Sequence, residues 1–253
     1  MNPLYIFIFE TIFVGLVILL LHRLRKYFGI GLLFIFIGSI QFFQSLLASS
    51  VYNKIFNEFV VSPGSSILFT SSLFAILLIF HSENLAKTRA LIFGLMISNI
   101  VITILSVFSS LQLTLDNNST NVKFLESILN LDIVIFMTGT CLLYIDSVFL
   151  IIIYEFLNLK LNDKYLILKI FIPLSLISLF DSLVFYGINL FSLSNGYNLL
   201  VSSIVGKQFV VIIFSIMMYL YLRVTKNILS NKKPENLKEI FSIFTFSDIP
   251  KIT

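Results

Sequence analysis

The pairs Asp146–Ser147 and Asp181–Ser182 each stand inside a long apolar run, in "IDSVF" (145–149) and "FDSLVF" (180–185). An ionisable residue at the centre of a membrane span costs at least about 2.5–3.5 kcal/mol on insertion scales. Each aspartate therefore needs a partner, water or a proton. The motifs are 35 residues apart across one short basic loop, so they fall on antiparallel neighbours, as in a transporter-type internal repeat.

Other polar residues share this setting. Gln41 and Gln44 are three apart and share a helix face. Asn99 stands mid-run, and Lys207 and Gln208 enter the last run from its non-basic end. Asp132 and Asp146 are fourteen apart, close to four full turns, and so share a face. Carboxylates, amides and one lysine in a polar cavity between spans 2, 4, 5, 6 and 7 suit a small polar solute with several donors and acceptors. They also offer proton-accepting sites for coupled uptake. Plainer roles compete with this one. Gln and Asn in spans serve as interhelical glue. Asp146 or Asp181 forms a structural pair with Lys207 or a backbone site. Glu10 is interfacial, Glu83, Glu155 and Asp132 are solvated span ends, and His22 lies at headgroup level.

The elements that must hold these residues are membrane spans. Of 253 residues, 58% are apolar and 12% charged, about half the charged share of a soluble domain. Seven runs near the roughly 20-residue span length are read at 4–21, 29–48, 66–81, 90–112, 131–157, 166–191 and 200–222. The fold expected is an all-α integral membrane bundle. Residues 1–223 form the seven-span domain and 224–253 a short basic tail, with an amphipathic helix over 234–244. Fourteen of the seventeen Lys and Arg residues fall on one side of this arrangement, all but Lys54, Lys123 and Lys207. The positive-inside rule then puts the N-terminus outside and the C-terminus in the cytoplasm. No cleavable signal peptide is evident, because the first run lacks a basic leader segment and contains Glu10.

Several classes are disfavoured. A single cysteine, Cys141, gives no disulfide framework and no thiolate cluster, and His22 and His81 lie beside span ends. There is no nucleotide-binding loop and no nucleophile–base arrangement. No cofactor or metal is called for, and the chain is read as a non-enzyme. The net charge of +4 reflects topology rather than nucleic-acid binding. The partners expected are a small-molecule solute and the bilayer. A homo-oligomer or an energising partner is left open.

Residues 1–223 resemble the queuosine precursor transporters, the vitamin-uptake-transporter family. "GSIQFFQ" carries Gln41 where that family has an amide-bearing second span. "SPGSSILFTSSLFAILLI" resembles its Gly-containing entry to an apolar span. "SENLAKTRALIFGLMISN" resembles its acidic turn and following helix through Glu83, Arg89, Gly94 and Asn99. "LLYIDSVFLIIIYE" and "SLFDSLVFYGINLF" place Asp146 and Asp181 at its two central aspartates, and "GKQFVVIIFSIMMYLY" resembles its last span through Lys207 and Tyr219. Leu142 and Ser178 stand where the family has Gln, and its Asp-Thr-Pro in the last span is missing.

The resemblance implies a secondary uptake transporter of the inner membrane for a deazapurine such as queuine. Asp146 and Asp181 would receive ring donors, Gln41 and Asn99 complete the polar contacts, and Lys207 balance charge. Two alternatives remain: a membrane sensory module, disfavoured if the chain ends about thirty residues after its last span, and a solute-binding subunit of a larger complex.

Overall fold

The structure is a computed structural model that describes residues 2–55, 59–115, 133–161, 165–189 and 196–225. It comprises α1 (Pro3–Phe28), α2 (Gly31–Ser50), β1 (Asn53–Ile55), β2 (Phe59–Val61), a π-helical turn (Gly64–Leu68) running into α3 (Phe69–Ser82), α4 (Leu85–Leu115), α5 (Ile133–Lys160), α6 (Leu166–Asn189) and α7 (Gly196–Thr225). Among the described residues, seven helices are long and apolar enough to cross a membrane. The seven-helix bundle expected from the sequence is the fold observed. Asp132, the loop 116–132, Lys164 and the expected amphipathic helix at 234–244 lie outside the described residues.

Sequence explains why the helices start, stop and face as they do. Asn2 caps α1, its side-chain oxygen accepting from Leu4 N at 3.1 Å, with Pro3 pre-set for the first turn. Gly29 ends it at φ 73° and ψ −179°, a conformation open essentially to glycine alone. Along α1, Phe9, Phe13, Leu16 and Leu20 form the exposed apolar stripe. Phe7, Thr11, Val14, Ile18 and His22 form the buried one, each three or four residues on from the last. Exposed apolar side chains outside and polar residues within is the arrangement a lipid solvent selects, because hydrocarbon offers a polar group no hydrogen bond.

The helices are not equivalent. In the span made of the π turn and α3, 89% of the hydrophobic window is buried, against 22–44% in the other six. This span packs against all six of the others. It is the axis of the bundle, and the rest form a sleeve around it. The polar cavity expected between spans 2, 4, 5, 6 and 7 is therefore not a space enclosed by those five. The third span occupies its middle and contributes its own side chains.

The segment between α2 and the third span, read from sequence only as a connection, contains an antiparallel hairpin that pairs Asn53 with Val61 and Ile55 with Phe59. Ile55 and Val61 are buried. Val60 N donates to Ser202 Oγ on α7 at 3.1 Å, and Ser62 Oγ donates to the Leu47 carbonyl at 2.8 Å. The hairpin thus plugs one end of the bundle, with β2 against α7 and β1 against α1. Two glycines permit the fit. A Cβ on Gly64 would collide with the backbone of Gln44 and Ala48, and one on Gly206 would lie 2.6 Å from Val61 Cγ1 and 2.9 Å from Ser66 Oγ.

The opposite, basic end is closed by polar bonds. His22 is fully buried. Its Nδ1 meets Tyr221 Oη at 2.8 Å and its Nε2 meets Ser82 Oγ at 2.6 Å. Glu83 pairs with Arg25 and with Lys87. His81 Nδ1 meets Tyr154 Oη at 2.5 Å, and Lys169 donates to Asn158 at 3.2 Å. These placements correct the reading of Glu83 and Glu155 as solvated ends. His22 and Glu155 are buried and the Glu83 side chain is 7% exposed, because neighbouring helix ends converge on them.

Candidate functional site

α6 and α7 meet along a ladder of polar side chains. Gln208 Nε2 donates to Ser178 Oγ at 2.9 Å and to the Ser175 carbonyl at 3.1 Å, while Ser175 Oγ donates to Gln208 Oε1 at 2.7 Å. Ser182 and Ser203 hydroxyls lie 3.3 Å apart. Between these rungs Lys207 Nζ forms a buried ion pair with Asp181 Oδ2. Spacing on α6 builds this ladder: Ser175, Ser178, Asp181 and Ser182 recur at three- and four-residue steps and so form one stripe. Lys207 was expected to enter its span from one end. With α7 beginning at Gly196, it instead lies about three turns inside the helix and is buried.

Asp146 approaches from α5. It is fully buried and lies within electrostatic and hydrogen-bonding reach of the Asp181 carboxyl and within electrostatic reach of Lys207. While both are ionised, the two carboxylates are acceptors only and neither gives the other a donor; a proton on either would let them share a hydrogen bond. Neither of its oxygens has a hydrogen-bond partner. With both carboxyls ionised, the two carboxylates and one ammonium sum to a formal charge of −1.

The serines of the repeated Asp-Ser pairs have a separate task. Ser147 Oγ donates to the Leu143 carbonyl at 2.6 Å and Ser182 Oγ to the Ser178 carbonyl at 3.0 Å. Each satisfies its hydroxyl within its own helix four residues back, and its small side chain lets a neighbouring helix come close.

The third span supplies the remaining wall. Lys207 Nζ sits 4.8 Å from the centroid of the Phe69 ring, a cation–π contact. Ser66, in the π turn, lies against Gly206, next to Lys207. Ser66 Oγ and Thr70 Oγ1 are buried without hydrogen-bond partners. On a neighbouring strip of α3, Ser72 Oγ accepts from Gln41 Nε2 at 2.8 Å. The same Ser72 hydroxyl donates its single proton to the Leu68 carbonyl at 3.2 Å. This fixes the orientation of the Gln41 amide: its NH2 faces Ser72 and its Oε1 is the atom left over. Gln41 Oε1, Gln44 Oε1 and Asn99 Oδ1 are all buried and unpartnered.

Of the five residues singled out from sequence, the fold brings Asp146, Asp181 and Lys207 into one cluster and ties Gln41 to its edge through α3. No hydrogen bond among the described residues joins the Asn99 side chain to the other four. Sequence reasoning did not single out Ser66, Phe69, Thr70 or Tyr186, whose hydroxyl lies by Ser203 toward Asp181. The one available signal was the density of hydroxyls in "SPGSSILFTSS", unusual for a span otherwise so apolar.

Fold and cluster together define a multi-pass membrane protein with an acidic polar core. Residues 15–222 match the family model described as vitamin uptake-like sensor, and the chain belongs to that family. No curated protein and no solved structure matches it at a significant level.

Proposed function

We propose that this chain binds a small polar heterocycle within the bilayer and reports its presence, as a ligand-sensing module built on a vitamin-transporter-like core. The observation that carries this reading is Asp146, buried at mid-span with both oxygens unpartnered, beside an ion pair that a ligand can share. Such groups inside a membrane are expensive, and function is the usual reason for keeping them. The family description favours sensing.

The helix α7 supplies a route for the signal. Lys207 lies in the cluster and Tyr221 in the basic-end network, fourteen residues and about 21 Å further along one rigid helix. A ligand that draws Lys207 away from Asp181 shifts α7 against His22 and hence against α1 and α3. In this reading the basic end faces the cytoplasm of a cell bounded by an inner or plasma membrane.

The second reading is uptake. It rests on the resemblance of residues 1–223 to queuosine precursor transporters, which also names the ligand class, a deazapurine. One experiment separates the two. Proteoliposomes holding the full chain are given labelled queuine and its two 7-deazaguanine precursors, and bound and lumenal label are counted separately. Saturable binding without accumulation supports the sensor. Accumulation supports the transporter. Neither binding nor accumulation by well-inserted protein overturns both.

A further inference from the structure

The unfilled hydrogen-bonding capacity of the core is lopsided. Among the described residues, the buried side-chain atoms without partners are Asp146 Oδ1 and Oδ2, Gln41 Oε1, Gln44 Oε1, Asn99 Oδ1 and the hydroxyls of Ser66, Thr70 and Ser215. Every one is an oxygen. Five are carboxylate or amide oxygens that can only accept. Buried polar groups are normally satisfied, so orphaned acceptors of one kind mark what is missing from the site.

The charge inventory has the same sign. Lys207, the cation of the cluster, is paired with Asp181 and covers the Phe69 ring. Asp146 keeps a full acceptor set and shares the field of Lys207 with Asp181, without an ion pair of its own among the described residues. A neutral ligand with donors would meet the hydrogen bonds and leave the charge. An anion would add a second uncompensated charge. A ligand carrying one positive charge on N–H groups meets both.

We propose that the ligand is a small organic cation, an amine or amidine whose charged N–H donors are received by Asp146. This rests on the reading above that the cluster binds a ligand, and it specifies the ligand's charge.

Two matched pairs of probes test it, by calorimetric titration of the full chain in nanodiscs. Benzamidine and benzamide differ chiefly in charge. So do 7-aminomethyl-7-deazaguanine and 7-cyano-7-deazaguanine on a shared ring. In at least one pair the cationic member is expected to bind about tenfold or more tightly than its partner, the size of a charge-assisted hydrogen bond. In Asp146→Asn that ratio is expected to fall to about one. If Asp146→Asn does not insert, the wild-type ratios decide alone.

A preference for benzamidine with neither deazaguanine bound sustains the cation proposal and overturns the deazapurine reading. Equal binding of the two deazaguanines, with no preference for benzamidine, overturns the cation proposal and leaves the heterocycle reading standing. Such a result would mean that a proton, not the ligand, neutralises Asp146. No binding of any probe up to millimolar concentration overturns both.

Discussion

Lys207 of α7 is paired with Asp181 of α6, which leaves Asp146 on α5 as a buried carboxylate held in reserve. The two aspartates occupy similar motifs in sequence and unequal positions in the fold. Their substitutions should differ accordingly.

Asp181→Asn removes the partner of Lys207, but Asp146 stands within reach of the same ammonium. The single variant should lose about 1.5–3 kcal/mol, the worth of one charged hydrogen bond. The double variant Asp146→Asn/Asp181→Asn leaves Lys207 buried with no counter-ion and should lose about 3–5 kcal/mol. Asp146→Asn alone removes an unpaired buried charge and should be neutral or stabilising. Thermal unfolding of the four proteins in nanodiscs reads the non-additivity directly. Equal losses from the two single variants would refute the reserve role.

The hairpin and the third span depend on two glycines with different neighbours. Gly206→Ala meets a valine side chain and should cost about 1–3 kcal/mol through overpacking. Val61→Ala should restore most of it. Gly64→Ala meets the backbone of α2, which cannot yield in that way, so no single side-chain trimming should rescue it. Folded yield from membranes, measured for both variants and the rescued pair, tests this.

At the basic end, His22 bridges α1, α3 and α7 through Ser82 and Tyr221. His22→Leu and Tyr221→Phe should couple in a double-mutant cycle by about 0.5–3 kcal/mol, as residues of one network do. Strict additivity would mean that the bond contributes nothing to holding α7 in place.

Glu83 has two cationic partners of unequal burial. The Arg25 side chain is 12% exposed and the Lys87 side chain 43%. Lys87→Ala should cost at most about 1 kcal/mol, as surface pairs do. Arg25→Ala, which leaves Glu83 buried beside a solvated lysine and takes a donor from His22, should cost about 2–4 kcal/mol. Similar losses would show that burial does not set the strength of this pair.

His22 shows where sequence was informative and under-read. It continues the buried stripe Phe7, Thr11, Val14, Ile18, so its inward direction was legible from spacing. What that spacing could not show is that α3 and α7 end at the same height and supply Ser82 and Tyr221. The Asp-Ser pairs are the converse case. Their place midway along apolar helices was plain from the surrounding runs. Their different roles were not, since the same Asp-Ser pair met different neighbours.

Apolar run length and polar punctuation determined by themselves the seven helices long and apolar enough to cross a membrane among the described residues, and the carboxylates midway along two of them, because a bilayer fixes span length and penalises each buried charge residue by residue. Only the tertiary structure decided that the third span is the axis, that the hairpin plugs the bundle, and that Lys207 pairs with Asp181 rather than Asp146. Those outcomes depend on which helices pack together and at what height, a matter of complementary surfaces between residues far apart in the chain that no local periodicity records.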